Sequence, residues 1–143
     1  MYKYLVLLSV LLLAPAIDSM AQDDSIDVVP GNYLVTTITE SSFSQTPETN
    51  DDNECMNENT VSVKDFLPDD NACNATNIKK SGNKLTFDIK CNQAQGMPAM
   101  NGSAEVSATK KTVYSKYKMA GDFQGTKFTV DSESKGKLTG PCK

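Results

Sequence analysis

The segment CNATNIKKSGNKLTFDIKC, residues 73–91, carries the strongest structural signal in the chain. Its second half alternates strictly. Leu85, Phe87, Ile89 and Cys91 fall on one side, and Lys84, Thr86, Asp88 and Lys90 on the other. A period of two belongs to a half-buried β-strand. Gly82-Asn83 separates this strand from the run before it and marks a hairpin. Two registers compete. A three-residue loop at Ser81-Gly82-Asn83 sets Lys80 against Lys84 and brings Cys73 opposite Cys91, within reach of a disulfide. A two-residue turn at Gly82-Asn83 sets Ile78 against Phe87, the better apolar pair, but sets Cys73 against Asn92. One bulged residue between Cys73 and Asn77, near Ala75, reconciles the two.

The hairpin also bears on the chemistry of the four cysteines, Cys55, Cys73, Cys91 and Cys142. A structural zinc site takes thiolates in close pairs or together with histidine. A thioredoxin-like site needs two cysteines separated by two residues. Neither pattern is present, so no metal or cofactor is expected. An even count at wide spacing reads as two disulfides. Three pairings are possible, and the hairpin selects Cys73–Cys91, which leaves Cys55–Cys142.

The beginning of the chain, MYKYLVLLSVLLLAPAIDSMAQ, has a lysine, an apolar run from Leu5 to Leu13 and small residues after it. This is the layout of a secretory signal peptide over residues 1–21, with cleavage after Ala21 and a cut after Ala16 as the second choice. The apolar run is about half the roughly 20 residues of a spanning helix, which argues against an uncleaved anchor. Residues 22–29 read as a mobile acidic lead-in, and residues 30–143 as a single disulfide-stabilised β domain. Periplasmic or secreted localisation follows, with no membrane-spanning segment after cleavage.

Missing residue types narrow the chemistry. The chain has no His, Trp or Arg. It therefore lacks the usual acid/base group of physiological pH, and the bidentate fork that reads phosphate and carboxylate. Nucleophilic catalysis by a Ser-His-Asp set is excluded. Charge is uneven: residues 22–75 hold 12 acids and one lysine, residues 76–143 five acids and 12 lysines. The acidic loops are expected to fold back over basic strands and neutralise them. An acidic chain without Arg or Trp is not expected to bind nucleic acid.

Working outward from the hairpin, Tyr33–Glu40 (YLVTTITE) reads as a strand, because β-branched residues dominate it. Ser41–Glu54 is polar and reads as a loop. Asn57 is expected to cap a short helix with Val63, Phe66 and Leu67 on one face, stopped by Pro68, with a strand over Thr60–Lys64 as the rival. Ser103–Thr109 turns Ala104, Val106 and Ala108 inward, and Thr112–Ala120 groups Val113, Tyr117 and Met119. Gly121–Gly125 reads as a turn, and Phe128 and Val130 lead the last strand. The expected fold is all-β: an antiparallel meander forming a strongly curved sheet or small barrel, with one short helix and two disulfides.

With these residues in place, the chain resembles the domain-of-unknown-function 3617 family of small exported bacterial proteins. The likeness rests on PGNYLVTTITE, ECMNENTV, the 73–91 unit, Gly102 and the closing TGPC, from Pro30 to Cys142. Tyr33 stands where such proteins often carry Trp. The resemblance implies export, bacterial origin and a disulfide-tied β fold, and it transfers no catalytic residue. In a bacterial chain, Asn74-Ala75-Thr76 and Asn101-Gly102-Ser103 carry no meaning as glycosylation acceptors.

Other candidate sites are thinner. Asp51, Asp52 and Glu54 could ligate calcium, but their spacing fits no known loop and a glycine for the sharp turn is missing. Met97 and Met100 could offer thioethers to Cu(I), yet such methionines more often pack against a core. The productive idea is architectural: a curved sheet has a concave face that can hold an apolar ligand. Phe87, Tyr117, Met119, Phe128 and Val130 are the candidate liners, against the plainer reading that all five simply fill the core. The expected function is a non-enzymatic binding module for an apolar or envelope-derived small ligand. The alternative is a periplasmic protein-binding module, an inhibitor or immunity-type factor meeting an envelope protein through its acidic loops.

Overall fold

Cys73–Lys80 and Lys84–Cys91 form the expected hairpin, and a single bulge satisfies both registers. Cys73 pairs with Cys91 and Thr76 with Asp88, while Lys79 pairs with Thr86 and Lys80 with Leu85. The shift lies between Thr76 and Lys79, at Asn77 rather than near Ala75. Asn77 takes φ +52°, a conformation that asparagine tolerates better than alanine. Its side-chain amide donates to Asp88 Oδ2 at 2.6 Å. Gly82 takes φ +58°, the glycine-first pattern of a type II′ turn.

The computed structural model describes residues 23–68, 72–94, 96 and 98–142. The expected signal peptide and Met97 lie outside them. The strands are β1 (Ser25–Asp27), β2 (Gly31–Ser41), β3 (Glu48–Met56), β4 (Thr60–Ser62), β5 (Cys73–Lys80), β6 (Lys84–Cys91), β7 (Met100–Ala108), β8 (Thr112–Phe123) and β9 (Thr126–Gly140). Val63–Phe66 forms a 3-10 turn. Seven strands make one antiparallel sheet in the order β3-β2-β9-β8-β7-β6-β5. The run β5 to β9 is the expected meander, and β9 then pairs with β2. Among the described residues β3 and β5 do not pair with each other, so the sheet is open and is not a closed barrel.

Several expectations change, each for a local reason. The segment 41–54, read as a loop, contains most of β3. This outer strand is exposed along nearly its whole length, so it has no buried face to print a period of two. Glu48, Asp51, Asp52 and Glu54 make it a charged edge, which discourages pairing with other chains. The lead-in expected to be mobile contains β1, which pairs with β4. Its Ile26 is only 1% exposed, within the main core. The short helix begins at Val63 rather than after Asn57, and the rival strand occupies Thr60–Ser62. Asp65 fixes this boundary: its carboxylate accepts the Ser62 backbone N–H at 2.6 Å and the Ser62 hydroxyl at 3.1 Å. Strand β8 runs on to Phe123, so the turn shrinks to Gln124-Gly125. Both residues have positive φ, as a type I′ turn requires.

The β1–β4 ribbon and the 3-10 turn cover one face of the sheet. Ile26 and Val63 are buried with Leu85, Phe87, Ile89 and Val106. Val28, Tyr33 and Val113 form a second cluster, where the Tyr33 hydroxyl donates to the Val29 carbonyl at 2.7 Å. The hairpin turn holds the ribbon in place. Asn83 accepts the Asp27 N–H at 2.7 Å, and its amide donates to the carbonyls of Asp27 and Ala108 at 2.7 and 3.0 Å. One side chain thus imitates a strand neighbour for β1. Asn83→Ala is expected to cost about 1–3 kcal/mol in urea unfolding, with faster amide exchange at Val28 and Val63. Exchange unchanged at those amides would refute the clasp.

Candidate functional site

Register places the inward side chains of β2, β9 and β8 in rungs across the sheet. Val35, Gly136 and Val113 share one rung. Thr37, Ser134 and Ser115 share the next, followed by Thr39, Ser132 and Tyr117, then Ser41, Val130 and Met119. The inner face is therefore apolar at one end and hydroxyl-rich in the middle. Thr37 Oγ1 and Ser134 Oγ lie 2.8 Å apart, and Thr39 Oγ1 and Ser132 Oγ 3.2 Å apart.

Over the first of these rungs passes a strap made of β4, the 3-10 turn and the residues after it. Strap and sheet enclose an open groove of about 550 Å³. Val35, Thr37, Val113, Ser115, Tyr117, Ser134 and Gly136 form its floor. Val61, Asp65, Phe66, Leu67 and Pro68 form the opposite wall, and Glu54 and Met56 of β3 form the rim. Gly136 is buried and leaves the floor low between Val35 and Val113. The Tyr117 hydroxyl donates to the Phe66 carbonyl at 3.4 Å, tying floor to wall. Cys55 is bonded to Cys142, which fastens the rim strand to the end of the chain. Cys73 is bonded to Cys91 at the far edge. Both pairings are those expected from the hairpin.

Burial pushes the Tyr117 phenol up to about 12, with a hydrogen bond to the Ser115 side chain opposing the shift. A phenol raised in this way stays neutral in the fold while its unfolded counterpart ionises near 10. The stability it contributes is intact below about pH 10 and is lost as pH rises towards 12. A tyrosinate absorbance titration of the native protein should therefore contain a phenol with a midpoint near 12. Tyr117→Phe should remove it, and a titration with every phenol ionised by pH 10.5 would contradict the burial.

The five candidate liners separate in the structure. Phe87 is 2% exposed in the main core and does not line the groove. Tyr117 does. Met119 and Val130 face each other on the rung next to the Thr39–Ser132 pair. Phe128 is buried further along the same face, with its ring 5.3 Å from that of exposed Phe43. Four of the five thus share one face of β8 and β9, and one reaches the groove. Thr37, Ser115 and Ser134 were missed because polar residues read as outward-facing. Strand parity could have found them, since Ser132 and Ser134 share a face with Val130 and Leu138.

The charged candidates also take defined places. Alternation along β3 puts Asp51 and Asp52 on opposite faces, so they cannot converge on one cation. Of three ion pairs among the described residues, only Asp23–Lys80 joins the acidic half of the chain to the basic half. Lys84–Glu105 and Lys116–Glu133 lie within the basic half. The expected neutralisation by folding back is thus a minor feature of these pairs.

Fold and groove together define a small, disulfide-tied all-β domain strapped across one face of an open sheet. The chain belongs to the DUF3617 family, a family of proteins of unknown function, whose model matches residues 28–142. No curated protein and no solved structure matches it.

Proposed function

We propose that this is an exported, periplasmic or secreted, non-enzymatic domain that holds a small envelope-derived amphipathic ligand in the groove between strap and sheet. One observation carries the reading: the centre of the sheet's inner face, where apolar side chains would complete a core, is a row of hydroxyls below an open cavity. Its volume falls in the range of small-molecule sites, which combine apolar walls with a few placed polar groups. Two disulfides suit an oxidising compartment. Among the described residues no helix is long and apolar enough to cross a membrane. The non-catalytic reading rests on the absence of histidine and on Asp65, whose carboxylate is occupied in holding the turn. The rival reading, recognition of a protein through acidic segments, is weakened because the acids of β3 that face away from the groove, such as Asp51, lie on an edge strand, where charge is an ordinary guard against aggregation.

Filling the floor tests the proposal. Ser134→Leu should abolish binding of an environment-sensitive dye while leaving the thermal midpoint unchanged or raised. Native mass spectrometry of protein taken from its own compartment should show a bound small molecule that this variant loses. Absence of both dye binding and added mass in the unmodified protein would sink the reading.

A further inference from the structure

The charged side chains that line the groove are of one sign. Among the described residues, the ionisable carboxylates that line it are Glu54 and Asp65, and no lysine does. Register explains why. Val113, Ser115 and Tyr117 face the groove from β8, so Lys116 and Lys118 turn to the opposite face. The same parity on β9 sends Lys135 and Lys137 away, because Ser134 and Gly136 face in. On β3 the alternation does the reverse. Met56 and Glu54 line the groove, and Asp52 and Glu48 follow on the same face, opposite Val35 and Thr39 of β2. Carboxylates thus run along one side of the opening, and the lysines of the floor strands lie behind the sheet.

From this we infer that the ligand is an amphiphilic cation: a protonated amine carried on an apolar body. The inference rests on the binding role proposed above and names its ligand class. An anionic amphiphile would meet Glu54 and Asp65 with no lysine among the described lining residues to offset them. A wholly apolar molecule would strip water from the hydroxyl row without replacing its hydrogen bonds. An amine answers both demands: its body packs on Val35, Val61, Phe66 and Leu67, and its N–H groups point to the Glu54 rim and the hydroxyls.

Three dansyl probes of one chromophore separate the possibilities: dansylcadaverine (cationic), dansylamide (neutral) and dansylglycine (anionic). Fluorescence titration of the intact protein should find dansylcadaverine bound about fivefold or more tightly than dansylglycine, the range for one or two exposed charge contacts. The preference should fade in Asp52→Asn/Glu54→Gln and at high salt. Glu54 is exposed, so the double variant should fold, which circular dichroism checks. Equal binding of the three probes, or a preference untouched by the variant, overturns the cation inference and leaves the groove standing. Failure of all three probes overturns both.

Discussion

Replacing Cys55 and Cys142 together by serine is expected to lower stability by about 4–5 kcal/mol, more than any other pair in the protein. The bridge spans 87 residues of sequence, and the entropy that a cross-link removes from the unfolded chain grows with the loop it closes. Cys73–Cys91 spans 18 residues, and its removal should cost about 3 kcal/mol by the same relation. The native state adds a second reason. Strand β3 is exposed almost throughout and buries little apolar surface, so main-chain pairing with β2 and this disulfide hold it. Small domains commonly have a total stability of roughly 5–15 kcal/mol, so the double-serine protein should be close to unfolding. Urea denaturation of the two double variants checks the order. A larger loss from Cys73/Cys91 would show that loop length does not govern what each bridge contributes.

Gly102→Ala should be nearly as damaging, at about 3 kcal/mol. Gly102 sits in the middle of β7 opposite Met119 of β8. A Cβ there would run into the Lys118 carbonyl oxygen and Met119 Sδ, and would lie 2.9 Å from Met119 Cα. Two of those atoms are backbone, so no rotamer change relieves the overlap. Moving β8 away would disturb nine paired positions with β7 and twelve with β9. Gly82→Ala makes the useful contrast. Gly82 has φ +58° but open space around it, so only the conformational penalty of about 1 kcal/mol applies. Thermal unfolding of both variants decides the matter. A loss at Gly102 no larger than at Gly82 would mean that the two strands are less tightly coupled than their register implies.

The legible parts of the fold were those in which one face is apolar and the other wet. Lys84–Cys91 announced itself through Leu85, Phe87 and Ile89, and the cysteine pairing followed from counting residues about Gly82. The bulge was foreseen, but its place at Asn77 depended on a contact with Asp88 that no local pattern reveals. Strand β3 was illegible because an edge strand needs no buried side chains, and its acids resemble those of a loop. Strand β1 was too short to show a period, and Ile26 became a core residue only through its partners. The groove was hidden for a related reason. Its floor combines Thr37 of β2 with Ser134 of β9 and Ser115 of β8, and strands so far apart in sequence become neighbours only when the first long strand docks on the last.

That docking sets an order of assembly. Asn32 reaches Thr139 across 107 residues, and β2 lies between β3 and β9. In the meander from β5 to β9 each strand pairs with the next in sequence, whereas β2 waits for β9. On the export proposed above, a chain threaded from its N-terminus would present the β2–β3 pair first and complete its pairing last. Cys55 would then have no disulfide partner until Cys142 had crossed. Contacts of such high sequence separation slow folding, and they expose strand edges meanwhile. The carboxylates of β3 would serve such a chain twice: as a guard on the finished sheet, and as a repellent while the early hairpin waits.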